Sequence, residues 1–88
     1  MKKWYIYILE CSDGSLYTGI TTDVNRRFNQ HNTGKGAKYT CVRRPVKLML
    51  VLESGDRSEA SKEEYRIKQL TRNQKLALCK KNKAQITK

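Results

Sequence analysis

The chain has 88 residues, of which 38% are hydrophobic, so it can form one small domain and not two. Nineteen lysines and arginines face eight aspartates and glutamates, giving a formal net charge of +11, which makes a cationic partner a poor fit. No apolar run is long enough to span a membrane, and the apolar run near the N-terminus ends at Glu10, too soon for a secretory signal, so we expect a cytoplasmic protein without a membrane partner.

The first predicted element is a β-hairpin. The segment 4–10 (WYIYILE) is rich in aromatic and β-branched residues, which favour strands. Ser-Asp-Gly at 12–14 is typical of a turn, and the segment 15–21 predicts the returning strand. The length of the turn decides which side chains of the two strands share a face.

Two turn lengths are compatible with this hairpin. A two-residue Asp-Gly turn would place Tyr7 and Tyr17 on opposite faces of the sheet. A three-residue loop with Gly14 in the left-handed conformation would shift the register by one residue, so that Gly19 pairs with Tyr7. Tyr5, Tyr7 and Tyr17 would then share one face. The sequence permits both registers.

The rest of the chain predicts one more strand and three helices. The first helix is capped at residue 22 or 23 and ends near 32, and a loop follows over 33–45. An apolar strand covers 46–53, and the next helix extends from a cap near 56 to about 70. A short helix over 71–80 begins with the capping pair Thr71 and Gln74. The third strand is apolar enough to be covered on both faces. The order β-β-α-β-α-α indicates an α+β domain with a small three-stranded antiparallel sheet flanked by helices.

The basic residues are concentrated in two long segments. The segment 24–52 contains seven of them and the segment 65–88 contains eight, and neither contains an acidic residue. A solvated surface usually mixes both signs of charge, so segments of one sign indicate a polyanionic partner. Nucleic acid is the first candidate.

The cysteines do not indicate a metal site. Cys11, Cys41 and Cys79 are far apart in sequence, form no C-x-x-C pair and accompany a single histidine. We therefore expect no structural zinc, and three reduced thiols.

An arginine and a histidine lie beside the apolar stripe of the first predicted helix. Val24 and Phe28 form the stripe, and helical periodicity places Arg27 and His31 next to it, one turn apart. Two such side chains can reach a common point. The alternative is structural: Arg27 extends over the core with its charge in water, and His31 is a buried histidine with satisfied hydrogen bonds.

Two adjacent glutamates raise a similar question on the next helix. Glu63 and Glu64 lie on the two shoulders of its apolar stripe, and periodicity, which slightly prefers Glu63, does not decide which one points inward. The alternative for Glu64 is a surface ion pair with Lys68 one turn later.

Together these features resemble the GIY-YIG nuclease superfamily, and in particular its short single-domain bacterial members. The resemblance covers nearly the whole chain in the same order. It rests on Tyr5-Ile6-Tyr7 and Tyr17-Thr18-Gly19 as the two signature elements, Arg27 with His31 on the first helix, AKYT at 37–40 with Arg43-Arg44-Pro45, and EASKEEYRIK at 59–68. Tyr5 replaces the first glycine of the signature. The resemblance implies a GIY-YIG nuclease-like domain over 1–82 and a basic C-terminal tail over 83–88 that frays.

The resemblance also implies a catalytic set for phosphodiester hydrolysis. The glutamate of the family motif aligns with Glu64, which would hold Mg²⁺ or Mn²⁺. Arg27 would bind the phosphate through its planar guanidinium, and its charge, with that of the metal, would make a phenolate accessible. That phenolate, on Tyr7 or Tyr17, would be the general base. His31 would orient a tyrosine or the attacking water.

A second set of residues would contact the nucleic acid. Gly19, opposite Tyr7, would leave space for the substrate backbone, and basic side chains would contact phosphates without reading sequence. The predicted contacts are Tyr5, Gly19, Lys35, Lys38, Tyr39, Arg43 and Arg44, joined by Lys80, Lys81 and Lys83 if these are ordered.

We therefore predict a metal-dependent endonuclease that hydrolyses phosphodiester bonds in DNA and selects structure, such as a flap, branch or junction, rather than sequence. It would serve DNA repair, recombination or processing, as a monomer or weak dimer without a small-molecule cofactor. Two alternatives share its charge but not its chemistry: a non-catalytic basic module that binds DNA or RNA, and a basic ribosome-associated protein.

Overall fold

The computed structural model of the chain describes residues 3–81, so the predicted tail over 83–88, with Lys83, lies outside the described residues. The elements of the described part are β1 (Trp4–Glu10), β2 (Leu16–Thr21), α1 (Val24–Asn32), α2 (Lys38–Cys41), β3 (Lys47–Ser54), α3 (Arg57–Lys68) and α4 (Arg72–Lys81). The three strands form one antiparallel sheet in the order β2-β1-β3. The predicted α+β class and three-stranded antiparallel sheet are confirmed.

The hairpin of β1 and β2 adopts the longer of the two predicted turns. Gly14 has a φ of 86°, a left-handed conformation that costs glycine no steric strain. Tyr7 consequently pairs with Gly19, and Leu9 pairs with Tyr17. The register that places Tyr7 and Tyr17 on one face of the sheet is confirmed.

Each face of the sheet is covered by helices. The core under α3 and α4 is formed by Ile6, Ile8, Leu50, Ile67 and Cys79. The core on the other face is formed by Tyr7, Leu9, Cys11 and Val46, with Tyr17, Phe28 and Leu48 packed against it. The strand β3 contributes to both cores, as its apolar sequence predicts. The candidate site lies on the second face, where α1 packs.

The connection between α1 and β3 differs from the prediction. We predicted a loop over 33–45, and this is wrong at Lys38–Cys41, where α2 forms one helical turn. Ala37, at the start of the turn, provides no side-chain cap. Thr40 is instead fully buried and hydrogen-bonded to His31 of α1. Tertiary contact therefore forms this turn, which local propensity does not reveal.

The other helices begin at the caps that the sequence offers. The Asp23 carboxylate accepts a hydrogen bond from the backbone N–H of Arg26 over 3.1 Å, which starts α1. Asp56 caps α3 in the same way. Thr71 and Gln74 bond each other's backbone N–H groups over 3.2 and 2.9 Å, so the predicted capping pair of α4 is confirmed.

The remaining chain-level features agree with the composition. All three cysteines lie in the described part of the chain and are free, with Cys11 and Cys79 buried.

Arg72 at the start of α4 donates two hydrogen bonds, of 3.1 and 2.9 Å, to the carbonyl of Gly14 and so holds the hairpin turn. Between residues 3 and 81 there is no helix with the length and apolar character needed to cross a membrane.

Candidate active site

A buried tyrosine and a buried histidine form the centre of the site. Tyr7 is 2% exposed and His31 is fully buried. The Tyr7 hydroxyl lies 2.9 Å from Nε2 of His31, and the two rings meet edge to face. Strand β1 and helix α1 therefore each supply one member of a hydrogen-bonded pair.

The second nitrogen of His31 is bonded as well. Its Nδ1 lies 2.7 Å from Oγ1 of Thr40, and the Thr40 hydroxyl lies 3.0 Å from the carbonyl of Ala37. Gly36 makes this possible, because a Cβ there would meet Nδ1 of His31 directly and lie 2.9 Å from its Cγ. The interpretation of His31 as a buried histidine with satisfied hydrogen bonds is confirmed. Whether it orients a tyrosine or the attacking water stays a prediction.

Burial determines the charge of His31. Desolvation, followed by the nearby positive charge of Arg27, lowers the pKa of His31 from 6.5 to about 4. The imidazole is therefore neutral at neutral pH, with one nitrogen that donates a hydrogen bond and one that accepts.

Gly19 makes room for Tyr7. A Cβ at Gly19 would lie 2.5 Å from the Tyr7 hydroxyl oxygen and 2.6 Å from Cζ of the ring. The space that we expected Gly19 to leave for a substrate backbone is thus occupied by the Tyr7 phenol. A contact between Gly19 and nucleic acid stays a prediction.

Arg27 lies beside the Tyr7 hydroxyl. Its Nη1 donates to Oε1 of Gln30 over 2.9 Å, which orients the partly buried guanidinium along α1. Burial raises the pKa of Tyr7, and the hydrogen bond and positive charge of Arg27 oppose that rise. Arg26, its neighbour in sequence, is exposed. The structure thus brings Arg27, and not Arg26, to the tyrosine.

Burial and positive charge act in opposite directions on Tyr7. Desolvation is the largest effect and raises the pKa of Tyr7 above its ordinary value, while Arg27 opposes it. The charges of Tyr17 and Glu64 raise it further. We expected positive charge from Arg27 and a bound metal ion to make a phenolate accessible. Arg27 lowers the pKa of Tyr7 as expected but does not by itself outweigh burial, and the effect of the metal stays a prediction.

The two glutamates of α3 occupy different surroundings. Glu64 has a side chain that is 22% exposed and lies 3.1 Å from Lys68. Glu63 is 44% exposed and pairs with Arg66 at 2.7 Å. Of the two, Glu64 is the one whose charge reaches Tyr7. The ion pair of Glu64 with Lys68 that the sequence offered as the alternative is present as well.

Glu64 is a suitable ligand for a divalent cation that is also bound by the substrate phosphate. Within residues 3–81, no three histidine, cysteine, aspartate or glutamate side chains are grouped to hold a metal ion. Mg²⁺ requires hard oxygen ligands, keeps several waters and commonly binds one or two carboxylates together with substrate phosphates. Glu64 meets that requirement. Its exposed pair with Lys68 is a weak competitor, worth about 1 kcal/mol or less.

An aromatic column extends from His31 to the surface. The ring of Tyr17 lies 5.3 Å from that of His31 and stacks on Tyr39 at 6.0 Å. The Arg43 guanidinium lies 3.9 Å from the centre of the Tyr39 ring. Nε of Arg43 also donates to the Asp13 carboxylate over 3.0 Å. Arg43 therefore links α2 to the hairpin turn and is already engaged.

The other predicted contact residues differ in exposure. Lys35 and Lys38 are exposed. Arg44 is exposed too, and its Nε donates to the carbonyl of Cys41 over 2.8 Å. Tyr5 is partly buried on the same face of β1 as Tyr7, and it pairs with Thr21 of β2.

Comparison with known proteins identifies the family. A family model of the GIY-YIG catalytic domain matches residues 3–77. The chain belongs to the GIY-YIG family. This domain places the protein in a nuclease superfamily with nucleic-acid substrates. The resemblance predicted from the two signature elements is confirmed.

Small bacterial GIY-YIG relatives align with almost the whole chain. The UPF0213 protein of Streptococcus agalactiae is 57% identical over 79 residues, covering 90% of each chain. The UPF0213 protein of Cupriavidus pinatubonensis is 51% identical over 80 residues, covering 91% of this chain and 89% of its own.

Solved structures of such proteins have the same fold. The solution NMR structure of the UPF0213 protein of Bacillus halodurans has a TM-score of 0.55 and 50% identity, and the match covers 86% of this chain and 81% of the other. A solution NMR structure of a protein from E. faecalis has a TM-score of 0.64 and 47% identity, with 92% and 86% covered.

Sequence reasoning missed three residues of this GIY-YIG site. Thr40 and Gly36 contact His31, and Gln30 contacts Arg27. Gln30 follows Arg27 by three residues on one helix, so periodicity was a usable signal. Thr40 belongs to the AKYT segment, but its contact needs a tertiary turn that no local pattern predicts.

Proposed function

We propose that this protein is a metal-dependent endonuclease that hydrolyses phosphodiester bonds in DNA and selects DNA structure rather than sequence. One observation carries the proposal: the buried hydroxyl of Tyr7 is bonded to His31, and its pKa depends on the hydrogen bond and charge of Arg27 and on the charge of Glu64. A guanidinium, a carboxylate and a phenol around one point match the needs of phosphoryl transfer, and membership of a nuclease superfamily supports the match.

Arg27 binds the scissile phosphate in this proposal. Its guanidinium forms charge-assisted hydrogen bonds with phosphoryl oxygens and opposes the charge that develops in the transition state. Gln30 holds it in place from the next turn of α1. The phosphate is thereby brought within reach of Tyr7.

Tyr7 accepts a proton from the attacking water. It is the phenol that contacts His31 and is influenced by both Arg27 and Glu64, whereas Tyr17 packs in the aromatic column. No covalent intermediate is required, because water attacks the phosphorus directly and the leaving oxygen departs with the electrons of the broken bond.

Glu64 is the residue that would hold Mg²⁺ or Mn²⁺. Such an ion supplies Lewis-acid stabilisation of the phosphoryl and leaving oxygens when bound. Glu64 has to leave Lys68 to bind it, which costs little because that pair is partly exposed.

The basic surface supports binding to the nucleic-acid backbone. Lys35 and Lys38 are exposed, and contacts of lysine to phosphate carry no sequence information. We therefore place structure above sequence in substrate choice. Arg43 is paired with Asp13 and lies over the Tyr39 ring. It stays among the proposed phosphate contacts, because an exposed ion pair costs little to break.

The proposed setting is the cytoplasm, in repair, recombination or processing of DNA. Three free cysteines support a reducing compartment, where disulfides are rare. We propose a monomer or weak dimer that works without a small-molecule cofactor, because every group named in the mechanism comes from one chain.

A cleavage assay that compares alanine variants of the adjacent residues Arg26 and Arg27 tests this function. Purified protein is incubated with single-stranded, duplex, flap and branched DNA and with RNA, in Mg²⁺, Mn²⁺ or EDTA. We expect metal-dependent cutting that Arg27→Ala reduces by at least about 100-fold, as loss of a transition-state contact does. Arg26→Ala removes the same charge one residue away and should cut within about threefold of wild type, because Arg26 is exposed.

Two results would contradict the proposal. Binding of nucleic acid without cutting in any metal would leave the non-catalytic binding module as the function. Equal activity of Arg27→Ala and Arg26→Ala would show that the observed cutting does not use this site.

A further inference from the structure

The hydrogen-bond directions around Thr40 are determined by one carbonyl. The carbonyl oxygen of Ala37 only accepts, and it lies 3.0 Å from Oγ1 of Thr40. The Thr40 hydroxyl has one proton, which this contact uses. If that proton pointed elsewhere, two oxygens would face each other without a hydrogen between them.

The direction of the next bond follows. Since Thr40 donates to Ala37, its oxygen accepts from Nδ1 of His31, which lies 2.7 Å away. Nδ1 must then carry the proton of a neutral imidazole. Nε2 is left as an acceptor, so the hydroxyl of Tyr7, 2.9 Å away, donates to it.

We propose that Thr40 is a positioning residue that holds His31 in the Nδ1–H tautomer, so that His31 accepts the hydroxyl proton of Tyr7 at the moment when Tyr7 accepts a proton from the attacking water. This rests on the proposed nuclease function, and it gives His31 and Thr40 defined places in that reaction. The tautomer itself is a property of the folded chain, independent of any reaction.

The proton transfers balance without a free phenolate. One proton moves from water to the oxygen of Tyr7, the original proton of Tyr7 moves to Nε2 of His31, and the resulting hydroxide bonds to phosphorus. The leaving oxygen takes the electrons of the broken P–O bond, and the proton returns to it through Tyr7 or from solvent. Tyr7 is neutral before and after the step, which agrees with a burial that disfavours its charged form.

The imidazolium that forms would be well placed. Its two N–H groups would face the oxygens of Tyr7 and Thr40, both of which can accept. A phosphate bound to Arg27 would offset the positive charge that helps to lower the pKa of His31. Substrate binding would therefore make His31 a better acceptor than it is in the free protein.

The segment between α1 and β3 positions the hydroxyl of Thr40 next to His31. Thr40 is fully buried, and Gly36 leaves the room in which its turn approaches His31. The single turn of α2 has no side-chain cap, and Ala37, the residue just before it, supplies the carbonyl that orients Thr40. The unpredicted turn thus has a chemical role as the support of His31.

The single histidine permits a direct test. In protein labelled with ¹⁵N, the two ring nitrogens of His31 report the tautomer without interference from any other histidine. We expect the Nδ1–H form in the wild type and in Thr40→Ser, which keeps the hydroxyl. Thr40→Val, which has the same shape without a hydroxyl, should show a substantial Nε2–H population.

Cleavage should follow the tautomer. We expect Thr40→Val to cut roughly 10- to 100-fold more slowly, in the range seen when the partner that orients a functional histidine is removed. Its affinity for the same DNA should be unchanged, and Thr40→Ser should stay within about threefold of wild type. A merely structural role would not separate the serine and valine variants by both the tautomer and the rate.

Three outcomes would overturn the proposal. The first is an Nε2–H tautomer in the wild type, which needs no variant and so is decisive even if Thr40→Val fails to fold. The second is a Thr40→Val protein that keeps the Nδ1–H form, and the third is one that changes tautomer but cuts at the wild-type rate. If the wild type cuts no substrate, the proposed function fails, and the spectrum still shows whether Thr40 sets the tautomer.

Discussion

His31 shows what a helical pattern reveals about one residue and what it leaves out. Periodicity placed His31 beside the apolar stripe of α1, next to Arg27, and offered a satisfied buried histidine as one interpretation. The structure confirms it. The partner Thr40 was out of reach of such reasoning, because it lies nine residues later in a turn formed by the contact itself.

The stability of the protein should depend on the charge of His31. Its pKa is about 4 when folded and 6.5 ordinarily, so the unfolded state binds the proton more strongly between those values. This contribution is fully present above pH 6.5 and is lost as the pH falls toward 4, by about 3 kcal/mol in total. Urea unfolding at pH 7, 6, 5 and 4 measures it.

NMR titration of the same ring provides the check. Carboxylates also lose stabilising charge in acid, so the unfolding data are compared with those of His31→Gln, which cannot titrate. A His31 resonance that titrates near 6.5 in the folded protein would contradict the buried, doubly bonded position.

Gly19 should not tolerate a methyl group. A Cβ there would lie 2.5 Å from the Tyr7 hydroxyl oxygen, so Gly19→Ala has to displace the buried phenol and its bond to His31. We expect the free energy of unfolding to fall by roughly 1–3 kcal/mol, and cleavage to fall by more than tenfold because the tyrosine moves. Chemical denaturation and the cleavage assay measure the two effects.

A double mutant separates this contact from other effects of the substitution. In a Tyr7→Leu background the ring is gone, so adding Gly19→Ala should cost much less stability than it costs in the wild type. An equal cost in both backgrounds would show that the close approach to Tyr7 is not the cause.

At the level of elements, caps and turns were readable where their chemistry is local. Asp23, Asp56 and the pair Thr71 and Gln74 are all used as helix caps. The hairpin was ambiguous, since either turn satisfies the Asp-Gly pattern. Packing resolves it, because only the longer loop places Gly19 opposite the buried Tyr7.

The cap of α1 gives a prediction at this scale. Asp23→Ala removes the carboxylate that accepts from the backbone N–H of Arg26, and we expect a loss of about 1 kcal/mol in unfolding free energy. Thr22→Ala is the matched control, since the structure selects Asp23 over Thr22 as the cap, and it should change stability by less than about 0.5 kcal/mol. The reverse order in thermal or urea unfolding would contradict the assignment of the cap.

At the level of the whole molecule, the fold class followed from element order, and the charge indicated the partner class. The sequence could not show which of two adjacent residues with the same kind of side chain acts in the site. Helical periodicity slightly preferred Glu63, whereas in the structure it is the charge of Glu64 that raises the pKa of Tyr7. Likewise the sequence did not show that Arg43, a predicted phosphate contact, is paired with Asp13, and its contact with nucleic acid stays a prediction.

The charge distribution predicts how binding depends on salt. A lysine that contacts a phosphate contributes roughly 0.9 to the slope of log affinity against log salt on duplex DNA. Lys38→Gln should therefore reduce that slope by about 0.9. Arg66→Gln removes the same charge from an arginine already paired with Glu63, and should leave the slope nearly unchanged.

Fluorescence titrations of labelled DNA over a range of salt concentrations give both slopes. Equal changes in the two variants would mean that only net charge matters. The basic segment around α2 would then not be a contact surface.

The central claim, that the side chains around Tyr7 cut nucleic acid, is tested most directly by the two adjacent glutamates of α3. Glu63→Gln and Glu64→Gln differ by one position and remove the same charge, but of the two it is the charge of Glu64 that raises the pKa of Tyr7. In Mg²⁺, on the best substrate of the panel, we expect Glu64→Gln to lose at least about 100-fold in rate. Glu63→Gln should remain within about threefold of wild type. Cutting that survives Glu64→Gln, or that both substitutions abolish equally, would contradict this assignment of the active site.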